Sequence, residues 1–149
     1  MPNPNYNQTI TLFNCLKAAD NDTGKDIWQR TVLQHCFYKN STGVQPLGES
    51  LKSVNYYTIR IPVSDKYKPY SEWSKLPNNE RSEYFTFNAD DVVIKGDSPE
   101  EITGMSPNTA AQVINRNKPG AFKVNSFSDN TTSPFGKHYR LGDKRERTI

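Results

Sequence analysis

Two histidines, two cysteines and a few adjacent acidic residues are the side chains whose types could do chemistry here. His35 stands between Gln34 and Cys36, a neighbourhood that suggests a thiol with its base. Neighbours in a strand point to opposite faces, so the pair is expected to separate and His35 to be a structural or surface imidazole. His138 falls among Lys137, Tyr139 and Arg140, where a strand position or a basic end explains it better than catalysis. Asp90 and Asp91 precede Val92, and their carboxylates diverge if a strand begins there; they read as turn and strand-edge residues rather than an acid–base pair. Glu100 and Glu101 suit the positive start of a helix. The run Lys95-Gly96-Asp97-Ser98 lacks the GxxxxGK[ST] spacing of a phosphate loop. Cys15 and Cys36 have neither CxxC nor zinc-like spacing. They pair only if adjacent strands bring them together, and ordinary buried thiols are the simpler expectation. No catalytic residue, metal or cofactor is predicted, and the chain reads as something other than an enzyme.

Aromatic residues offer a different chemistry. Tyr56, Tyr57, Phe85 and Phe87 recur at strand spacing and read as core or cross-strand filler. A base-stacking platform would want Lys or Arg on the same face, and Arg60 is the only basic residue close enough in sequence. Tyr67, Tyr70 and Trp73 differ: they lie in a stretch without a period, beside Lys66 and Lys68. Large rings with a polar handle are favoured at protein interfaces, so these three are candidate contact residues alongside packing within the domain.

The elements that must position these residues follow from pattern. The chain's 149 residues suit one domain, and 34% apolar content with many Asn, Ser, Thr, Pro and Gly suits strands joined by turns. A flexible N-terminus (1–8), a single β-domain (9–142) and a basic tail (143–149) are predicted. Thr9 to Leu16 reads as a strand, followed by a turn at Asp20, Asn21, Asp22 and Gly24. A second, long strand runs from Ile27 to Tyr38, with Trp28, Val32, Cys36 and Tyr38 on one side, Leu33 and Phe37 on the other, and room for a bulge. Lys39 to Leu51 reads as a flexible loop. Tyr57, Ile59 and Ile61 alternate with Thr58 and Arg60 as the clearest strand, which Pro62 ends. Short strands are predicted at Tyr84–Phe87 and Asp91–Lys95, with Gly96 closing the second.

Ser98, Pro99 and Glu101 spell a helix start that Gly104 cuts short. After Ser106 and Pro107, Asn108 to Asn115 is the one short helix predicted, with Ala110, Val113 and Ile114 apolar. Phe122–Phe127 and His138–Leu141 are the closing strands. So many strands with so little helix predict a mainly β fold: a small antiparallel β-barrel or tight sandwich with long loops.

Charge is informative by position. The 19 Lys and Arg against 16 Asp and Glu give +3, and Lys137 to Ile149, with five basic and two acidic residues, holds all of it. A nucleic-acid binder usually shows a basic stripe on its body, which the linear sequence does not reveal. The tail, with Lys144, Arg145 and Arg147, is a further candidate contact, with protein or nucleic acid. Met1 to Gln8 has no apolar stretch and no run of 18 apolar residues occurs, so neither a signal peptide nor a membrane span is expected.

Several short motifs carry a resemblance. They are Ile10-Thr11-Leu12-Phe13-Asn14, Thr31-Val32-Leu33, Tyr57-Thr58-Ile59-Arg60-Ile61-Pro62, Asp91-Val92-Val93-Ile94-Lys95-Gly96 and Val124-Asn125-Ser126-Phe127-Ser128-Asp129-Asn130. Across Ile10 to Leu141 the chain resembles a family of uncharacterised bacteriophage and prophage proteins of Gram-positive bacteria, encoded among head and head-to-tail joining genes. Proteins at that position are similar to phage head-closure, or stopper, proteins. The resemblance implies a small β-barrel with long loops, without enzymatic activity, assembled as a homo-oligomeric ring in the virion neck. It implies partners in the portal and adaptor and in the tail, possible contact with packaged DNA in the channel, and assembly in the host cytoplasm. The helix at Pro107–Asn115 and the Val63–Ser82 excursion depart from that pattern and leave tail terminator or minor capsid protein as alternatives. A nucleic-acid-binding β-barrel module is the alternative from another class, to be recognised by a continuous basic groove.

Overall fold

Val, Ile, Thr and aromatic residues at period 2 build most of the strands, and the exceptions are where the fold departs from the pattern. The computed structural model describes residues 6–47, 50–118, 120–130 and 138–142, with backbone alone for 40–47, 50–56, 126 and 130. The strands are β1 (Gln8–Leu16), β2 (Ile27–Leu47), β3 (Ser50–Pro62), β4 (Val92–Lys95), β5 (Ala121–Lys123), β6 (Ser126–Asn130) and β7 (His138–Gly142). They form one antiparallel sheet in the order β5-β4-β1-β2-β3-β7-β6. The fold is mainly β as expected, but this sheet is not closed into a barrel. Its two edge strands, β5 and β6, are successive in the chain and joined through Val124 and Asn125.

The sheet turns about β2, which pairs with β1 through its first part and with β3 through its last. The expected bulge is there: Gln8 pairs with Cys36 but Ile10 with Leu33, and His35 takes a φ of 60°. The extra residue flips the side-chain parity of β2. Leu33 and Cys36 therefore both pack on the same core and Trp28 on the opposite face, which corrects the assignment of Trp28 to the side of Cys36 and of Leu33 to the other. Past the bulge the two halves of the sheet face a common core. Ile10, Leu12, Val93 and Phe122 from one half meet Tyr57, Ile59, Tyr139 and Leu141 from the other. The Tyr57 and Phe122 rings stack across it, with centroids 4.6 Å apart.

One half of the sheet is clad on its outer side too. Phe13, Val92, Ile94 and Ala121 pack beneath Val113, Ala110 and Ile114 of a helix at Ala110–Asn117. That explains why β4 reads Val-Val-Ile without alternation: both faces are covered. The helix lies where expected, but Thr109 is its cap, in a reciprocal pair with Gln112, rather than Ser106. The other half has no helix on its outer side among the described residues, and from Tyr57 to Ile61 of β3 and from His138 to Leu141 of β7 buried and less buried positions alternate.

Five further expectations need correction. Phe122–Phe127 is not one strand: Ala121–Lys123 and Ser126–Asn130 are separate strands at opposite edges of the sheet. Lys39 to Leu51 is not a loop: β2 continues to Leu47 and β3 begins at Ser50. Tyr84–Phe87 is not a strand but a single bridge between Phe85 and Tyr67. Ser98 starts no helix; its hydroxyl accepts from Glu100 N and its own N–H donates to Thr11 Oγ1, so the cap residues tie a loop to β1. The expectation of one short helix is also too few, since four-residue helices lie at Tyr70–Trp73 and Asn78–Arg81.

Candidate functional site

The candidate chemistry at Asp90 and Asp91 separates as the backbone requires. Asp90, at a φ of 77°, stays exposed, and Lys17 and Lys123 each reach it at 3.1 Å. Those two partners hold its carboxyl below the usual carboxylate range. Asp91 is not a strand-edge residue: it is 1% exposed. Its Oδ1 accepts from Cys15 N at 3.0 Å, and its Oδ2 accepts from Asn14 Nδ2 and Asn88 N, both at 2.9 Å. Asn14 in turn donates to Thr86 O at 2.6 Å and accepts from Thr86 N at 3.3 Å. Burial pushes the Asp91 carboxyl up to about 7 against the pull of these donors. Both oxygens are taken and the group is sealed from solvent, so this cluster ties β1 to the segment before β4 and offers nothing to a substrate.

The remaining chemical candidates disperse. His35 is exposed at the bulge and His138 is half-buried on β7. Cys15 and Cys36 are free and buried, and burial lifts each thiol to about 12. Glu100 caps no helix start; it binds Arg116 at 3.0 Å and Asn117 Nδ2 at 2.9 Å, holding the last turn of the Ala110–Asn117 helix. Among the described residues no group of three His, Cys, Asp or Glu side chains is placed to hold a metal ion, and no helix is long and apolar enough to cross a membrane.

Tyr67, Tyr70 and Trp73 come together with the body rather than with solvent. Trp73 is fully buried, Arg81 lies over its ring at 5.7 Å, and its Nε1 has no partner among the described residues. Tyr67 packs against Phe87 and Tyr139, with centroids at 5.0 and 4.4 Å. Tyr70 is half-buried; its hydroxyl donates to Asp20 at 2.6 Å and accepts from Lys17 N at 3.1 Å. Burial and then the Asp20 bond lift that hydroxyl to about 12. The aperiodic stretch is thus packed over the end of the core. Lys144, Arg145 and Arg147 lie outside the described residues.

Two features of the β2–β3 pair escaped the sequence. The first is a ribbon. Among the described residues β1 leaves β2 at Cys36, and β7 covers β3 from Thr58 to Pro62. From Asn40↔Tyr57 to Leu47↔Ser50 the two strands pair only with each other among the described residues. Eight pairs at ~3.4 Å per residue make an arm about 25 Å long.

The second is the bare outer face. Tyr57, Ile59 and Ile61 point into the core, as expected, and Arg60 outward. Register places Phe37, Arg60, Arg140 and Ser128 in one row across β2, β3, β7 and β6. Lys39 and Thr58 flank that row. The Arg60 guanidinium lies 5.2 Å from the centre of the half-exposed Phe37 ring, and Tyr6 packs against the same ring at 6.3 Å. No ion pair engages Arg60 or Arg140 among the described residues.

The chain belongs to a family of unknown function, DUF6751, which matches residues 5–144. That span takes in the whole sheet, the ribbon and the arginine row, and leaves out most of the basic tail. No curated protein and no solved structure matches the chain.

Proposed function

We propose that this chain is a structural assembly protein of the phage head-to-tail connector, of the head-closure or neck-ring kind, joining portal and adaptor to tail. The observation that supports it is the β2–β3 ribbon. A two-stranded hairpin standing alone in water is marginally stable, because most of its surface and both of its edges stay solvated. A domain that keeps eight such pairs gains most when a neighbour completes them. β2 carries Pro46 on the ribbon, which blunts that edge, whereas β3 has no proline before Pro62. The β3 edge is therefore the one that takes up a strand from the adjacent subunit or from a partner. Heterologous contacts of this kind close into a ring when the rotation between copies fits. The resemblance to phage joining proteins supplies the setting; tail terminator and minor capsid protein are the neighbouring readings.

The test is to locate the chain in purified phage particles by antibody labelling and single-particle imaging. Several copies forming a ring at the neck are expected. Isolated single copies, or absence from the particle, would overturn the reading.

A further inference from the structure

We propose that the outer face of β2, β3 and β7 binds single-stranded nucleic acid, through Arg60, Arg140 and Phe37. The argument starts from a local conflict. Arg60 and Arg140 are directly opposite each other on neighbouring strands, and like charges in that position repel. No acidic side chain pairs with either among the described residues, so no ion pair there offsets the repulsion. Both are exposed, on the half of the sheet that no helix covers among the described residues. Lys39, also exposed, adds a third positive charge in the next row.

Charge complementarity selects a polyanion. A guanidinium pair on adjacent strands suits successive phosphates, which accept bidentate bonds. Phe37 selects the kind of polyanion. Its half-exposed ring lies in the same row, with the Arg60 guanidinium over it and Tyr6 tilted against it. Only unpaired bases offer a free face to such a ring, whereas a duplex keeps its bases stacked inside. An acidic peptide would satisfy the arginines but leave the ring unused. The linear sequence hid the site because Arg60 and Arg140 meet only through β3–β7 pairing.

The experiment measures binding of the full chain to a fluorescent oligothymidylate, against a duplex of equal length and against polyglutamate, over a range of salt. Single strands are expected to bind more tightly than duplex or polyglutamate. The R60Q/R140Q variant should lower the log–log salt slope by about 1.4, two phosphate contacts at ~0.7 each. Phe37→Ala should weaken single-strand binding about 5- to 160-fold, the range for losing one stacked base, and leave the slope unchanged. A parallel variant with Lys144, Arg145 and Arg147 changed to Gln separates the face from the tail. Circular dichroism confirms that each variant is folded. The proposal is overturned if no single strand binds at low salt, or if the salt slope resides in the tail variant alone. Polyglutamate binding as tightly, with Phe37→Ala silent, would overturn it in favour of an acidic protein partner.

Discussion

Asn14 and Asp91 form a buried side-chain pair, Asn14 Nδ2 donating to Asp91 Oδ2 at 2.9 Å, at the point where β1 meets the entry to β4. The same carboxylate takes the backbone N–H groups of Cys15 and Asn88. An amide in its place can keep only one acceptor oxygen. Asp91→Asn is therefore expected to strand at least one backbone donor and to cost about 1–3 kcal/mol. Denaturant unfolding measures it, and a change under about 0.5 kcal/mol would contradict the role given to Asp91.

The raised Asp91 pKa sets a pH dependence whose sign is fixed. The unfolded group titrates at its ordinary 3.8 and the folded one at about 7. Below the first value both states hold the proton. Between them the unfolded chain has released a proton that the folded chain retains, so stability falls as pH rises, and the fall ends above about 7. Asp90 acts the other way, its lowered pKa giving stability that is lost as pH drops below the ordinary carboxylate value. Comparing parent and Asp91→Asn midpoints at several pH values isolates the Asp91 part, which should vanish in the variant. A parent midpoint that climbs from pH 4 to 7 relative to the variant contradicts the assignment.

Ile59 sits fully buried between the two halves of the sheet. Ile59→Ala should cost about 2–5 kcal/mol, the transfer and cavity cost of a large-to-small core change. Thr58→Ala, one residue away on the outer side, should change stability by no more than about 0.5 kcal/mol. Equal effects at the two positions would mean that the register of β3 is misplaced.

Cys15 and Cys36 are buried thiols with pKa near 12, so neither should react with a thiol reagent at neutral pH in the folded chain, and both should react in denaturant. Titration with a chromogenic disulfide reads this directly. Rapid labelling of one thiol in the native state would show that its cover opens.

The basic tail gives an expectation from composition. Lys144 to Ile149 has no apolar residue before its last, and so cannot bury surface enough to offset its own ordering. Deleting it should leave the unfolding midpoint nearly unchanged and, under the proposed connector role, weaken attachment to the partner ring. A truncated chain that melts several degrees lower yet assembles normally would place the tail in the fold.

What the sequence revealed follows from which surfaces are covered. Tyr57, Ile59 and Ile61 alternate because β3 buries one face there, and Val113 with Ala110 and Ile114 marks the buried side of a helix. The ribbon was invisible for the same reason. With no third strand and no layer above it among the described residues, this stretch lacks the apolar alternation that signals a strand, and its Asn, Gly and Pro residues mimic a loop. Asp91 looked like an edge residue because two of its three donors, Asn14 and Cys15, come from a distant strand. Ser98, Pro99 and Glu101 had the right residue types for a helix start, but Thr11 and the loop took their hydrogen bonds instead. Arg60 read as a lone basic residue because Arg140 reaches it only through the sheet. The aromatic trio at Tyr67, Tyr70 and Trp73 lacked a period because it packs against the end of the core from short helices and turns.

The central claim is that the β2–β3 ribbon joins copies of this chain to one another. Native mass spectrometry of the full chain over a concentration series, beside a variant in which 42–55 is replaced by Asn-Gly, tests it most directly. Ser41 and Tyr56 already face each other, so the short turn closes the trimmed hairpin without disturbing the body. The account expects a closed oligomer for the full chain and a folded monomer for the trimmed one. Full and trimmed chains that assemble alike, or that both remain monomeric at every concentration, would contradict it.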